Sequence, residues 1–237
     1  MEQKLHTPEG VRDIYSKECE IKLALQKRLS KVLHLYGYQD IQTPTFEYYE
    51  VFRKEIGSTS TQELYKLFDR EGNILALRPD ITPSVARAAA TLFENEEKPV
   101  RLCYAGNTFI NHSSYQGRLK ENTQLGAELI GLDSVEADAE LIAMVADGLK
   151  QVGLKEFQIS LGHVDFVKSL MEAAGLGEEE SHEIRELIAN RNFFGVEELL
   201  DGRKVKPAIR EAFRILPELT GGEEVLAQAK NAAPDSD

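Results

Sequence analysis

The sequence has no tryptophan, three methionines and only two cysteines in 237 residues. Cys19 and Cys103 stand far apart, with no cysteine or histidine near them at metal-ligand spacing, so neither a disulfide framework nor a zinc ribbon is encoded. Reduced, buried thiols in a cytoplasmic protein are the simple expectation. The histidines, at positions 6, 34, 112, 163 and 182, form no ligand spacing either, so no metal and no other cofactor is expected. Long apolar runs are missing: none approaches the roughly 20 residues that span a bilayer, and no window has the layout of a secretory signal. Positive charge is in short supply. There are 28 Lys and Arg against 40 Asp and Glu, a net charge of −12, which argues against non-specific polyanion binding although a local basic patch stays compatible. The Walker loop, GxGxxG, GxSxG and HExxH are all absent, as are internal repeats and low-complexity tracts.

What is present is a chain with 42% hydrophobic side chains, enough for one large domain or one domain with an appendage. Residues 5–13 (LHTPEGVRD) read as a turn-rich entry. Ser16 is placed to cap a helix whose apolar stripe runs through Ile21, Leu25, Leu29, Val32, Leu33 and Tyr36, with Gly37 ending it. Residues 38–52 have strand composition, but Pro44 cannot donate to a ladder, which confines them to an edge or an interface. Residues 64–69 and 74–78 form a predicted hairpin about Arg70–Asn73. Thr82-Pro83 reads as an N-cap with proline at the first helical position, starting a helix that buries Val85, Ala89 and Phe93. Strands are predicted around 100–110 and 123–131. A helix over 135–152 is expected to point Leu141, Ile142, Val145 and Leu149 inward, and alternation over 157–161 predicts a half-buried strand. Short amphipathic segments follow at 164–176, 178–191, 193–201 and 206–215. This order implies an α+β fold with a mainly antiparallel sheet flanked by helices, plus a small helical subdomain. The expected divisions are 1–163, 164–230, and a linker or cut end over 231–237.

Three segments could carry chemistry. Arg78-Pro79-Asp80-Ile81-Thr82-Pro83 puts a carboxylate and a hydroxyl where backbone N–H groups converge at a helix start, although a helix cap with a solvated aspartate fits equally. On a strand, Gln124, Gly126 and Glu128 share one face while Leu125, Ala127 and Leu129 take the other. The polar row makes a trough suited to a ligand bearing an ammonium group, with Gly126 allowing close approach; a solvent-facing strand is the plain alternative. Gly117-Arg118-Leu119-Lys120 offers a basic pair, with Arg118 as a candidate anion contact or as part of an ordinary surface loop.

Together these segments resemble the class II synthetase-like domain of histidyl-tRNA synthetase. They resemble more closely its paralogous family, the regulatory subunits of ATP phosphoribosyltransferase. The resemblance runs through TPEGVRD (7–13), YGYQDIQTP (36–44), LRPDITPSVAR (77–87), the 109–131 stretch and EADAEL (136–141) into the helical region, so it covers nearly the whole chain. LRPDITPSVAR, where synthetases usually read RPEGT, and LPELTGGEEVLAQA (216–229) favour the regulatory branch. The resemblance implies that Asp80, Thr82, Gln124 and Glu128 hold histidine, with Asp80 one methylene shorter than the usual glutamate. It also implies that the nucleotide site is lost. FINHSSYQGRLKENTQLGAE (109–128) aligns without gaps to the family's second motif, and it places Ile110 where an arginine meets the α-phosphate and His112 two positions on, where a glutamate stands. Losing one preorganised donor commonly costs about 3–4 kcal/mol of barrier, so no catalytic residue and no aminoacylation are expected.

The resemblance further implies a regulatory, non-catalytic subunit that senses histidine for feedback control in the first step of histidine biosynthesis. It would form a homodimer through Tyr38–Pro44 and assemble with a short-form ATP phosphoribosyltransferase catalytic subunit, without tRNA. An active histidyl-tRNA synthetase, or a synthetase-like protein repurposed for another partner, are the competing readings. The family's third motif, its Tyr-Tyr-rich segment and the anticodon-binding domain are not visible in these 237 residues, which reads as a truncated chain or a shortened member.

Overall fold

The computed structural model describes residues 5–53, 61–112 and 117–233. Internal contacts divide the chain between Phe157 and Gln158 into two compact units.

The first unit is built on a hairpin of two long strands, β5 (Val100–Phe109) and β6 (Glu121–Ile130), antiparallel with Tyr104 opposite Gly126 and Leu102 opposite Glu128. The short β1 (Gln39–Asp40) lies parallel on the other edge of β5. Alternation along the strands decides the layers. Cys103 of β5 and Leu125, Ala127 and Leu129 of β6 face one way, onto Val32 and Leu33 of α1 (Ser16–Leu35), Tyr38, and Met144 and Leu141 of α4 (Val135–Gln151). Val100, Leu102, Tyr104 and Ile130 face the other way. There they pack on Ile81, Val85 and Phe93, which belong to or flank α3 (Thr82–Leu92). The polar row of β6 therefore lies on the α3 side, which sets up the site.

A second sheet has the order β2 (Phe46–Tyr48), β4 (Ile74–Leu77), β3 (Lys66–Phe68), all antiparallel. α2 (Glu50–Arg53) brings Phe52 against Ala76 and Leu64. The β3–β4 hairpin is the one predicted; Asp69 closes its turn by accepting from the Glu71 and Asn73 amides at 3.0 and 2.8 Å.

The second unit holds α5 (Val164–Ala173), α6 (Glu178–Ala189), α7 (Phe193–Asp201), α8 (Pro207–Ile215) and α9 (Glu224–Ala232). Leu170, Met171, Ile184, Val196, Leu200, Ile209, Ala212 and Phe213 form its core. α9 was not among the expected helices, and it runs into the stretch expected as a linker; 234–237 lie outside the described residues.

Several expectations need correction. Residues 38–52 lie at sheet edges as expected, but as two strands, β1 and β2, in different sheets: the Thr43 and Pro44 carbonyls between them accept from the Arg78 guanidinium at 2.9 and 3.3 Å instead of joining a ladder. Ser16 does not cap α1. It stands at the first position of the helix with its backbone in the left-handed region, at φ 50°, the cap position is Tyr15, and the entry is instead tied by an Arg12–Glu18 pair. Only the last turns of the α1 stripe are buried, and Ile21 and Leu25 are exposed. On α4 the buried positions are Ala137, Met144 and Gly148; Leu141 packs on the core as expected, whereas Val145 is exposed. Residues 157–161 form no strand: alternation needs a neighbouring edge to supply ladder bonds, and among the described residues none does.

α4 is fixed to β5 by Arg101, whose Nε and Nη2 donate to Glu140 Oε1 and Oε2 at 3.1 and 3.0 Å, and by the Tyr38 phenol, which donates to Oε1 at 3.2 Å. Burial pushes that phenol up to about 12. The Arg101 hydrogen bond holds the Glu140 carboxyl below its usual range. A depressed folded pKa stabilises fully above the unfolded value of about 4.3, and the gain is lost as the pH falls through the lower folded value. Glu140→Gln is therefore expected to cost up to about 1 kcal/mol at neutral pH. In urea unfolding its deficit relative to the parent protein should shrink as the pH falls below about 4.

Candidate functional site

β4 ends at Leu77 and α3 begins at Thr82, so Arg78 to Ile81 form a tight strand-to-helix turn. Arg78 anchors it from beneath. The residue is 8% exposed, and its guanidinium donates from Nε to the Asn107 carbonyl at 2.8 Å, besides its bonds to the carbonyls of Thr43 and Pro44. With these carbonyls satisfied, the turn is held against β5 and presents Asp80 and Thr82 to the polar face of β6.

There the four residues expected to hold a ligand come together. Gln124 Nε2 donates to Asp80 Oδ1 at 2.8 Å, while its Oε1 accepts from the Ile81 amide at 3.0 Å, which fixes the side-chain amide in one orientation. Asp80 Oδ1 also accepts from the Thr82 amide at 3.1 Å. The first helical N–H is thus satisfied by Asp80, while the cap position itself is Ile81, whose side chain bonds nothing there. Thr82, expected as the cap, is the first helical residue, and its hydroxyl donates to Glu128 Oε1 at 2.7 Å instead.

Tyr104 is a fifth member that the sequence reading missed. Its phenol donates to Glu128 Oε1 at 3.0 Å and lies 3.3 Å from Thr82 Oγ1. Burial, with the charge of Glu128 adding to it, pushes this phenol upward, so it remains a donor. The register puts Tyr104 directly opposite Gly126, and a Cβ there would lie 2.5 Å from the phenol oxygen. Gly126 therefore makes room for the tyrosine ring and not, as expected, for a ligand. The usable signal was an aromatic facing a glycine across a hairpin, but it appears only once the register is known.

Each hydroxyl has a single proton, and both are given to Glu128 Oε1. Among the described residues, Asp80 Oδ2 and Glu128 Oε2 have no partner. The cluster is thus an acceptor-rich patch with two carboxylates, suited to a ligand carrying N–H donors and positive charge. A cleft of about 350 Å³ reaches Thr82 and Glu128, with Ala86, Ala89, Ala90 and Ile130 supplying its apolar lining and Glu94 and Lys98 also bordering it. That size is within the range of small-molecule sites.

The remaining expected positions lie elsewhere. Ile110 donates its amide to the Lys120 carbonyl at 2.9 Å, and its side chain brings neither charge nor donor. His112 Nδ1 is 3.0 Å from Glu63 Oε1, and the neighbouring Asn111 amide donates to the Glu63 carbonyl at 2.8 Å, so the short 3₁₀ turn Thr61–Glu63 engages this histidine. Arg118 is exposed, outside the cluster, and lines a separate hollow of about 210 Å³ with Glu9, Gly10 and Val11.

The profile of a family described as histidyl-tRNA synthetase matches residues 10–237. The ATP phosphoribosyltransferase regulatory subunit of Acetivibrio thermocellus is 42% identical over 225 residues, 95% of this chain and 54% of its own length. The protein of the same name from Ruminiclostridium cellulolyticum is 41% identical over 230 residues, 97% of this chain and 55% of its own. The chain thus spans about half the length of the curated relatives it matches. A crystal structure from Bacillus halodurans, described as an ATP phosphoribosyltransferase regulatory subunit/histidyl-tRNA synthetase, superposes with a TM-score of 0.87 at 32% identity, over 100% of this chain and 61% of that one. Apo histidyl-tRNA synthetase of S. aureus superposes with a TM-score of 0.54 at 28% identity, over 64% of this chain and 40% of that one.

Proposed function

Since the chain belongs to the histidyl-tRNA synthetase family, we propose that it is the histidine-sensing part of an ATP phosphoribosyltransferase regulatory subunit and does not aminoacylate. The observation that carries this reading is a contrast between the two ends of the β5–β6 hairpin, one of them joined by the turn before α3. Asp80, Thr82, Gln124 and Glu128 are locked into an acceptor patch, while position 110, expected to supply a cation to the nucleotide, is an isoleucine. The 36–42% identity to proteins named as regulatory subunits points the same way.

Asp80 and Glu128 would receive the ammonium and the imidazole N–H of histidine on their open oxygens, with Gln124 and Thr82 holding both carboxylates in place. The apolar cleft beside Thr82 and Glu128 would shelter the uncharged part of the ligand. Arg118 is reserved for an anion. A homodimer through Tyr38–Pro44 would draw on the neighbouring Phe46 and Tyr48, which are exposed, whereas the Tyr38 ring is spent within its own chain. Adenylate formation builds charge at the α-phosphate and needs positioned cations. Ile110 provides none, so bound histidine would serve as a signal and not as a substrate.

Feedback of this kind is a coupling free energy, typically about 1–3 kcal/mol or 5- to 150-fold in affinity, and it requires the ligand to favour one state of the assembly. The test is reconstitution with a short-form ATP phosphoribosyltransferase catalytic subunit, following phosphoribosylation of ATP with and without histidine. A stable complex whose activity falls several-fold on adding histidine is expected. No complex, or activity indifferent to histidine, would overturn the assignment.

A further inference from the structure

The structure gathers a second constellation on the opposite face of the β1–β5–β6 sheet. His34 is in the last turn of α1, and Gly37, at φ +84°, turns the chain sharply back into β1. The parallel register pairs Asp40 with Cys103, so both side chains share the face that α1 covers. As a result His34 Nε2 lies 3.0 Å from Asp40 Oδ2 and Cys103 Sγ lies 3.6 Å from Asp40 Oδ1. The three donor atoms all fall within 4.8 Å of one another.

We propose that His34, Asp40 and Cys103 bind a divalent transition ion of the zinc class. Tetrahedral zinc, with bonds of about 2.0–2.1 Å to nitrogen or oxygen and 2.3 Å to sulfur, spaces its ligand atoms roughly 3.3–3.6 Å apart; the two pairs that Asp40 makes are already near that, and a wider pair, within the 4.8 Å limit, would close by about 1 Å. The donor set selects the ion. One imidazole, one carboxylate and one thiol suit zinc or cobalt, whereas calcium and magnesium require oxygen. Cys103 is 1% exposed, but the side chains of His34 and Asp40 are 46% and 70% exposed. The ion would therefore rest with sulfur beneath it and a water completing the fourth position toward solvent. On binding, the metal–sulfur bond forms as the thiol proton leaves to solvent, with no change of oxidation state. The ion would staple the end of α1 to β1 and β5. Sequence spacing concealed the site because the bridging partners are six residues apart on one side and 63 on the other.

The alternative is an ordinary surface His–Asp pair above a buried thiol, and metal binding separates the two. The untagged, chelator-treated protein carrying Cys19→Ser, so that Cys103 is its only thiol, is titrated with Co²⁺ and then Zn²⁺. Stoichiometric cobalt with tetrahedral visible bands and a near-ultraviolet thiolate-to-cobalt band, both displaced by zinc, is the expected result. Zinc should also raise the Tm by mass action. His34→Gln and Asp40→Asn alter exposed side chains, so their folding can be verified by circular dichroism; each should weaken cobalt binding at least about tenfold and remove the zinc-induced rise in Tm. Absence of binding, cobalt bound without the sulfur band, or unchanged affinity in His34→Gln would each overturn the proposal.

Discussion

Glu128→Gln is expected to weaken histidine binding by about one to two orders of magnitude in calorimetry. Under the proposed function the carboxylate has two duties: Oε1 accepts from Thr82 and Tyr104, and Oε2, without a partner among the described residues, is left for the ligand. A glutamine can keep its carbonyl on the two hydroxyls, so the fold should survive. Its NH₂ then stands where an acceptor was, facing a ligand that also brings donors. A hydrogen bond to a charged group is worth about 1.5–3 kcal/mol, which converts to roughly 10- to 150-fold in affinity. Unchanged affinity with an intact fold would show that Glu128 does not touch the amino acid.

Gly126→Ala should damage both stability and binding, although it adds one methyl group. Its Cβ would lie 2.5 Å from the Tyr104 oxygen and 2.6 Å from the adjoining ring carbon. That ring is 6% exposed and sits directly across the hairpin, so it cannot swing clear without breaking its bond to Glu128. Overpacking of this kind costs about 1–3 kcal/mol. Denaturant unfolding should show that loss, and histidine affinity should fall at least about tenfold because Glu128 and Thr82 lose their shared neighbour. Tyr104→Phe is the control: it deletes one hydrogen bond and causes no clash, so it should cost only about 1 kcal/mol and weaken binding far less. Equal effects from the two variants would mean that the ring's position is immaterial.

Much of the arrangement was legible because it follows from local rules. Alternation along 123–131 assigned Leu125, Ala127 and Leu129 to the core and Gln124 and Glu128 to the opposite, polar face, where the structure bonds them to Asp80 and Thr82. The β3–β4 hairpin and the helix beginning at Thr82 likewise follow from turn chemistry and from proline at a helix start. The failures share a physical origin in long-range pairing. Pattern alone made 157–161 a strand, but a strand needs an edge. Thr82 looked like a cap because its sequence neighbours allowed it, yet Glu128, 46 positions away, captured the hydroxyl. Tyr104, and the meeting of His34, Asp40 and Cys103, depend on cross-strand register and on how α1 returns into the sheet. No single-window pattern encodes either.

The most direct test is histidine-dependent ATP–pyrophosphate exchange by the purified protein under conditions where calorimetry shows the amino acid bound. Exchange at the level of the protein-free control is predicted, since position 110 offers no cation to the α-phosphate. Sustained exchange that requires histidine would contradict the account and return this chain to the aminoacylating members of its family.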